Sequence, residues 1–199
     1  MIGPMDEPAW VDQLPRAAVQ DFPALTDDAL DLHDVRIVDA SASCSDVLDN
    51  PELVNVALQR CDIAGVVANN GRMHRVLVTG SRLRGVTWGA GMVQDVVVDT
   101  TTGGDVSLRF STLRRVVFRD CVLPELDFAE VTFDDVRLER CVLTGARFHR
   151  AKVKQLRIEG CDLTGCSGAE ALAGASVHPD DLLNLGPSLA AALGIALDV

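Results

Sequence analysis

From Leu48 to Leu163 an apolar residue stands at every fifth position: Leu48, Leu53, Leu58, Ile63 and so on to Phe148, Val153, Ile158 and Leu163. Of these 24 positions only Gly103 lacks an apolar side chain, whereas a chain that is 48% apolar would supply about 12 by chance. A period of five is neither the 3.6 of a helix nor the 2 of a strand. It is a repeat, and a repeat decides architecture before any local propensity does. Two residues before each of these positions lies a second restricted set, in which only Asp46 is charged. Both sets must point inward, so each pentamer reads as one short side of a coil plus a corner.

The earlier inward position also carries a longer period. Val56, Val76, Val96, Val116, Val136 and Leu156 recur every twenty residues, and so do Cys61, Ser81, Thr101, Cys121, Cys141 and Cys161. Residues i and i+20 therefore stack, which describes a four-sided coil of twenty residues. With neighbouring strands about 4.8 Å apart, the roughly six coils from Leu48 to Leu163 predict a rod about 30 Å long. Each coil buries its apolar column only against its neighbours, as in any solenoid. Phe118, Leu138 and Ile158, with Cys121, Cys141 and Cys161, are the expected core ladder.

Cys161-Asp162-Leu163-Thr164-Gly165, Cys141-Val142-Leu143-Thr144-Gly145, Ala146-Arg147-Phe148-His149-Arg150 and Cys61-Asp62-Ile63-Ala64-Gly65 resemble the pentapeptide-repeat family, whose unit is a small residue, a polar one, Leu or Phe, then two polar ones. The resemblance runs from Leu30 to Gly168 and implies an all-β solenoid, a right-handed quadrilateral β-helix with short helical caps. Asn69-Asn70-Gly71, Trp88-Gly89-Ala90-Gly91 and Thr100-Thr101-Thr102-Gly103-Gly104 depart from the unit. Residues 66–105 are accordingly expected to be looser, with Gly103 leaving an inward position empty. The expected organisation is an acidic segment 1–29 with a short helix covering the first coil, a β-helix 30–168 with a register slip near 38–47, and a helical cap 169–199.

The 199 residues are ample for one elongated core. No apolar run approaches the 18 residues or more that suggest a membrane span, and Met1-Ile2-Gly3-Pro4-Met5-Asp6-Glu7 lacks the basic and apolar regions of a secretion signal. A cytoplasmic location is expected, and 16 arginines against 2 lysines suit a high-GC bacterial source. In a reducing cytosol Cys61, Cys121, Cys141, Cys161 and Cys166, all on the inward beat, are read as buried thiols. No CxxC or paired histidine spacing accompanies them to suggest a metal.

The formal charge of −11 is unevenly placed. Residues 1–50 carry 11 acids and 2 bases, and residues 166–199 carry 4 acids and none basic. Residues 51–165 are left with 14 acids and 16 bases, a net of +2. Some members of the family imitate duplex DNA and bind DNA gyrase, which requires a continuous negative surface on the rod. Stacked at twenty residues, however, Arg114, Asp134 and Lys154 alternate in sign, and Asp127 with Arg147, Glu130 with Arg150, and Arg119 with Glu139 are opposite pairs. Such pairs are expected to bridge coils, each contributing about 0.2–1 kcal/mol. Arg137 above Arg157 is a like-charge exception. Two basic bands, Arg109, Arg114, Arg115 and Arg119, then Arg147, Arg150, Lys152, Lys154 and Arg157, are separated by Asp127, Glu130, Asp134 and Asp135, so direct nucleic-acid binding is not expected.

At the N-terminus, Pro8 to Leu14 followed by Ala17, Ala18, Val19 and Phe22 suggests a helical piece interrupted at Pro15. At the other end the beat stops after Cys166-Ser167-Gly168, with a shifted remnant at Leu172 and Val177. Pro179 and Pro187 fit the first turns of two short helices, and Gly194 fits a terminus. Leu182, Leu183, Leu185, Leu189, Leu193 and Ile195 exceed what covering one coil needs, and serve either as a cap or as a dimer surface of the kind the family uses. His33, His74, His149 and His178 are scattered, Asp134-Asp135 lies in a charge column, and Thr102-Gly103-Gly104-Asp105 has no phosphate-loop lysine. The reading is a non-enzymatic interaction scaffold without cofactor, bound to an unidentified protein partner; the alternative is a DNA mimic that binds gyrase and alters its activity or quinolone sensitivity.

The inward assignment has a direct test. Leu138→Asp or Phe118→Asp should lower the unfolding free energy by several kcal/mol, by placing an unpaired charge in the rod, while Thr144→Asp should leave thermal unfolding almost unchanged.

Overall fold

The structure, a computed structural model, describes residues 8–19, 30–43 and 47–196. It is a parallel β-solenoid of about seven turns with about 20 residues per coil. Long strands Asp31–Val38, Glu52–Gln59, Arg72–Thr79, Met92–Asp99, Thr112–Arg119, Thr132–Glu139 and Lys152–Glu159 lie side by side in one sheet, which Ala18–Val19 and Ser176–Val177 extend at its two ends. Ser41–Ser43, Asp62–Ala64, Arg82–Arg84 and Thr102–Gly104 form a second wall, and Val47–Asp49, Val67–Asn69 and Thr87–Gly89 a third. Single bridges continue both walls to the end, through Thr102, Val122, Val142 and Asp162 on one and Thr87, Ser107, Asp127, Arg147 and Ser167 on the other.

Corners come from the backbone. Nineteen non-glycine residues hold φ between 46° and 64°, and all lie at the fifth position of a pentamer, from Asp34 and Asp39 through Arg140 and Arg150. Nine of them are Asp or Asn, whose short polar side chains tolerate the left-handed conformation best. In the middle of each long strand such a residue turns the chain, and the ladder skips it: Val54 pairs with His74 and Val56 with Val76. Each long strand therefore makes two walls of the coil. Gln155 is the exception, because the ladder slips there and pairs Asp134 with Gln155.

None of the 24 beat positions is exposed, and none of their described partners two residues earlier is. Asp46 and Phe22 lie outside the described residues. The register slip is confined to one extra residue between Ser43 and Val47: Ser41 pairs with Asp62, 21 residues on, and Val47 with Val67, 20 on. The core ladder at Phe118, Leu138 and Ile158 is buried, and rings of Phe118, Phe128, Phe133 and Phe148 meet with centroids 5.2–6.4 Å apart.

The departures from the unit have steric causes. Trp88 lies across the inward glycines of two coils: a Cβ on Gly71 would be 2.4 Å from its Cζ2, and one on Gly91 2.5 Å from its Nε1. Glycine in the small position makes room for the indole. Gly103 does not leave an inward position empty, as the sequence suggested. The backbone itself moves in, so that a Cβ there would be 2.3 Å from the carbonyl oxygen of Leu83.

At the N-terminal end a single 3-10 turn, Val11–Gln13, lies on the flank of the rod rather than over its first coil. Trp10, Val11 and Leu14 pack on the outward column Ala57, Leu77, Val97 and Val117, which offers apolar surface that the first coil's backbone edge does not. That edge is joined instead by Ala18–Val19, which pairs with Arg36 and Ile37. At the C-terminal end Pro179 opens a 3-10 turn, Pro179–Asp181, as expected, but it runs directly into one α-helix, Leu182–Ala192, with Pro187 inside it rather than in the first turn of a second helix. The N–H that proline lacks would have bonded the carbonyl of Leu183, on the helix's solvent side, where water can replace it. Gly194 at φ 70° closes this helix, with Ile195 N–H on Ala190 O and Gly194 N–H on Ala191 O.

Corner strain can be measured where no side chain confuses it. Ala90→Gly, at φ 52°, should raise stability by up to about 1 kcal/mol, and Gly85→Ala, at φ 59° with open space around the new Cβ, should lower it by about 1 kcal/mol. Denaturant midpoints of the two variants check both.

Candidate interaction surfaces

The stacked small residues of one inward column share a hydrogen bond that the sequence did not reveal. Cys61, Ser81, Thr101, Cys121, Cys141 and Cys161 each donate to the backbone carbonyl two residues before, on Gln59, Thr79, Asp99, Arg119, Glu139 and Glu159, at 2.9–3.7 Å. Those carbonyls also accept the corner N–H of the preceding coil, as Gln59 O does from Asp39 and Thr79 O from Arg60. The column is thus thiol or hydroxyl because a small donor is wanted, and a purely apolar reading of the cysteines was incomplete. Burial pushes the Cys61 and Cys166 thiols above their ordinary range. A hydrogen bond with Cys141, followed by burial, does the same to Cys161, which disfavours reactive thiolate.

After the last coil the pattern needs a substitute. The carboxyl of Asp181 is buried beside the backbone of Gly160 and Cys161, with its Oδ2 lacking a hydrogen-bond partner, and burial raises its pKa. Leu172 and Leu185 close the core beside it. Asp181 was missed because nothing local in Pro179-Asp180-Asp181 marks one acid as inward.

On the outside, charges pair from coil to coil. Arg60 reaches Asp39, Arg115 reaches Asp95 and Arg140 reaches Asp120, each through two nitrogens at 2.6–2.8 Å. Arg84 meets Asp62 at 3.0 Å, Lys154 meets Asp134 at 3.2 Å, and Arg147 lies 3.1 Å from Glu125 and 3.7 Å from Asp127. Arg150 bonds Glu130. Arg119 meets Asp99 of the preceding coil at 3.0 Å. Arg157, stacked on Arg137, turns along its own strand to Glu159 at 3.0 Å. Among the described outward columns no more than two acids follow one another, as at Asp31 and Glu52, Asp105 and Glu125, and Glu139 and Glu159. The two basic bands are largely neutralised in the same way.

The histidines are not brought together: His33 lies 3.8 Å from Glu52, His74 3.5 Å from Asp95, and His178 3.5 Å from Asp180. A groove of about 690 Å³ runs along one corner, where Asn50, Asn70, Ala90 and Phe110 follow one another. Phe110 and Met92 are exposed in it, and Arg109 covers the Phe110 ring at 5.2 Å. An aromatic residue in a corner position was its only trace in the sequence.

Apolar exposure is concentrated at the C-terminal end. Of the six residues expected at a cap or dimer surface, Leu185 is buried and Leu189 half-buried against the rod, while Leu182, Leu183, Leu193 and Ile195 are 47%, 82%, 72% and 55% exposed. No helix among the described residues is long and apolar enough to cross a membrane.

Residues 127–165 match the family profile "Pentapeptide repeats" with 8 copies. With two inward residues per pentamer and four pentamers per coil, the fold is a parallel β-solenoid of the kind that pentapeptide-repeat β-helices form. No curated protein matches the chain. Among solved structures it is similar to trypsin-treated QnrB1, a plasmid-mediated fluoroquinolone resistance protein, at 13% identity over 94% of this chain and 100% of that one, TM-score 0.31. It is similar to the pentapeptide repeat protein Rfr23 of the cyanobacterium Cyanothece 51142 at 10% identity over 64% of this chain and 90% of that one, TM-score 0.35. It also resembles HetL of the cyanobacterium Nostoc sp. strain PCC 7120, involved in heterocyst differentiation regulation, at 15% identity over 75% of this chain and 88% of that one, TM-score 0.23.

The ion pairs set a pH dependence. Hydrogen bonds from Arg60 and Arg140 hold the carboxyls of Asp39 and Asp120 below the usual range. At Asp95 burial acts upward, and bonds from Arg115 and Gln94 outweigh it. A depressed folded-state pKa adds stability above the unfolded value of about 3.9, and that stability disappears as pH falls through the folded value. Stability should therefore decline on acidification below about pH 4. Asp95→Asn should cost about 1 kcal/mol at pH 7 and flatten the decline, and the more exposed Asp120→Asn should cost under about 0.5 kcal/mol, both read from urea midpoints.

Proposed function

We propose that the protein is a non-enzymatic interaction scaffold that engages protein through its C-terminal end. The observation that carries this reading is the apolar surface of the helix Leu182–Ala192 and of the residues that follow it. Leu182, Leu183, Leu193 and Ile195 are turned to solvent there, beside a rod whose flanks are neutralised by their own ion pairs. Only part of the helix is needed to close the last coil, which Leu185 does. The remaining leucines suit a second copy of the chain, and a homodimer joined through these helices is the simplest occupant.

The alternative is a DNA mimic acting on gyrase. The alternating signs of the columns speak for the scaffold, because a mimic needs an uninterrupted negative face. Light scattering at micromolar concentration should give a dimer mass, and Leu183→Glu with Leu193→Glu should reduce it to a monomer without unfolding. A monomeric wild type removes the homodimer. Dose-dependent inhibition in a gyrase supercoiling assay, or rescue of gyrase from a quinolone, would replace the scaffold reading by the mimic.

A further inference from the structure

One outward column of the rod is apolar over four coils and basic beyond them. Ala57, Leu77, Val97 and Val117 stack in register, with Arg36 before them and Arg137 after. The ladder needs no apolar side chain at this place, since it continues unbroken through Arg137. What the four share is a cover. Trp10, Val11 and Leu14 lie on them, and Ala57, Leu77 and Val97 are buried beneath. Apolar contact holds that cover to the rod, because its backbone hydrogen bonds are spent within itself: Val11 N–H on Pro8 O, Gln13 N–H on Trp10 O and Leu14 N–H on Val11 O. Trp10 and Val11 are only half-buried, and Pro15-Arg16-Ala17 separates Leu14 from the strand Ala18–Val19 that fixes the segment to the first coil.

We propose that this stripe is a docking surface for a short protein segment carrying an aromatic residue and a leucine four positions apart, and that Pro8 to Leu14 is its resident intramolecular ligand. The surface is separate from the C-terminal helix and does not rest on the dimer reading. Four residues at one coil spacing extend about 14 Å along the rod, and a turn of the 3-10 kind, rising about 2 Å per residue, sets its first and fifth residues about 8 Å apart. Trp10 and Leu14 thus anchor on neighbouring coils while Asp12 and Gln13 face water. A partner segment of the same chemistry buries the same apolar surface and can replace the cover without breaking a hydrogen bond of the ladder. A tethered ligand acts at an effective concentration in the millimolar range, so the docked segment lowers the apparent affinity for an outside one by the fraction of time the stripe stands open.

The probe is a fluorescein-labelled peptide of residues 8–16. A full-length Trp10→Ser, Leu14→Ser double variant, whose own segment no longer competes, should bind it at least about tenfold tighter than the wild-type chain, and adding Leu77→Asp should abolish binding. In the wild-type chain the Leu14 amide should be at least about tenfold less protected from deuterium exchange than the Val97 amide of the ladder, because the segment opens without the rod. The proposal falls if the folded double variant does not bind the peptide, or if Leu77→Asp leaves binding intact. It falls equally if Leu14 is protected as strongly as Val97, the result expected of a fixed structural cover, and this measurement decides the matter where the double variant does not fold.

Discussion

A coil of this protein has almost no hydrogen bonds of its own. Its backbone donates to and accepts from the coils on both sides: Arg60 N–H bonds Thr79 O and Asn70 N–H bonds Gly89 O in the next coil, while Arg72 N–H bonds Pro51 O and Arg82 N–H bonds Cys61 O in the one before. Such a ladder works only if every coil has the same length and turns at the same places. The left-handed corners meet this requirement, since a residue such as Arg75 or Glu125 held at positive φ returns the chain to the same register each time. The local cost is accepted because leaving a row of inward-turned amides unpaired would cost more.

Once the spacing is fixed, side chains acquire neighbours they would not otherwise have. Cys121, Cys141 and Cys161 stack and answer carbonyls, Arg115 falls on Asp95, and Phe128 stacks on Phe148. The same rule makes ends a problem, because a terminal coil has one partner fewer. The protein solves it differently at each end: Ala18–Val19 adds a strand at the start, while Ser176–Val177 and the Asp181 carboxyl replace the missing coil at the finish. Surface left over after this closure, on the helix Leu182–Ala192 and the residues just after it, carries the most exposed apolar side chains, Leu183 and Leu193.

Acidity is a separate matter from the rod's outward face. Acids outnumber bases in the terminal segments, but along the described coils nearly every cluster of one sign has the other within reach. A coil-to-coil salt bridge stabilises the stack and at the same time cancels the field that a DNA-like surface would need. Stability of the ladder and long-range electrostatic attraction therefore draw on the same side chains in opposite ways.

Periods of five and twenty in the sequence were sufficient for the coil, its two inward residues per side, the Phe118, Leu138 and Ile158 ladder and most cross-coil ion pairs, because a strict repeat converts sequence distance into spatial distance. They could not yield what depends on three-dimensional space left between coils. The indole of Trp88 occupying the place of two glycine side chains, the inward shift at Gly103, the flank position of Trp10 and Leu14, and the inward turn of Asp181 are all decided by which volume neighbouring coils leave free. Register is a property of the chain, legible one residue at a time. Packing is a property of the assembled coils, and only the tertiary structure decided it.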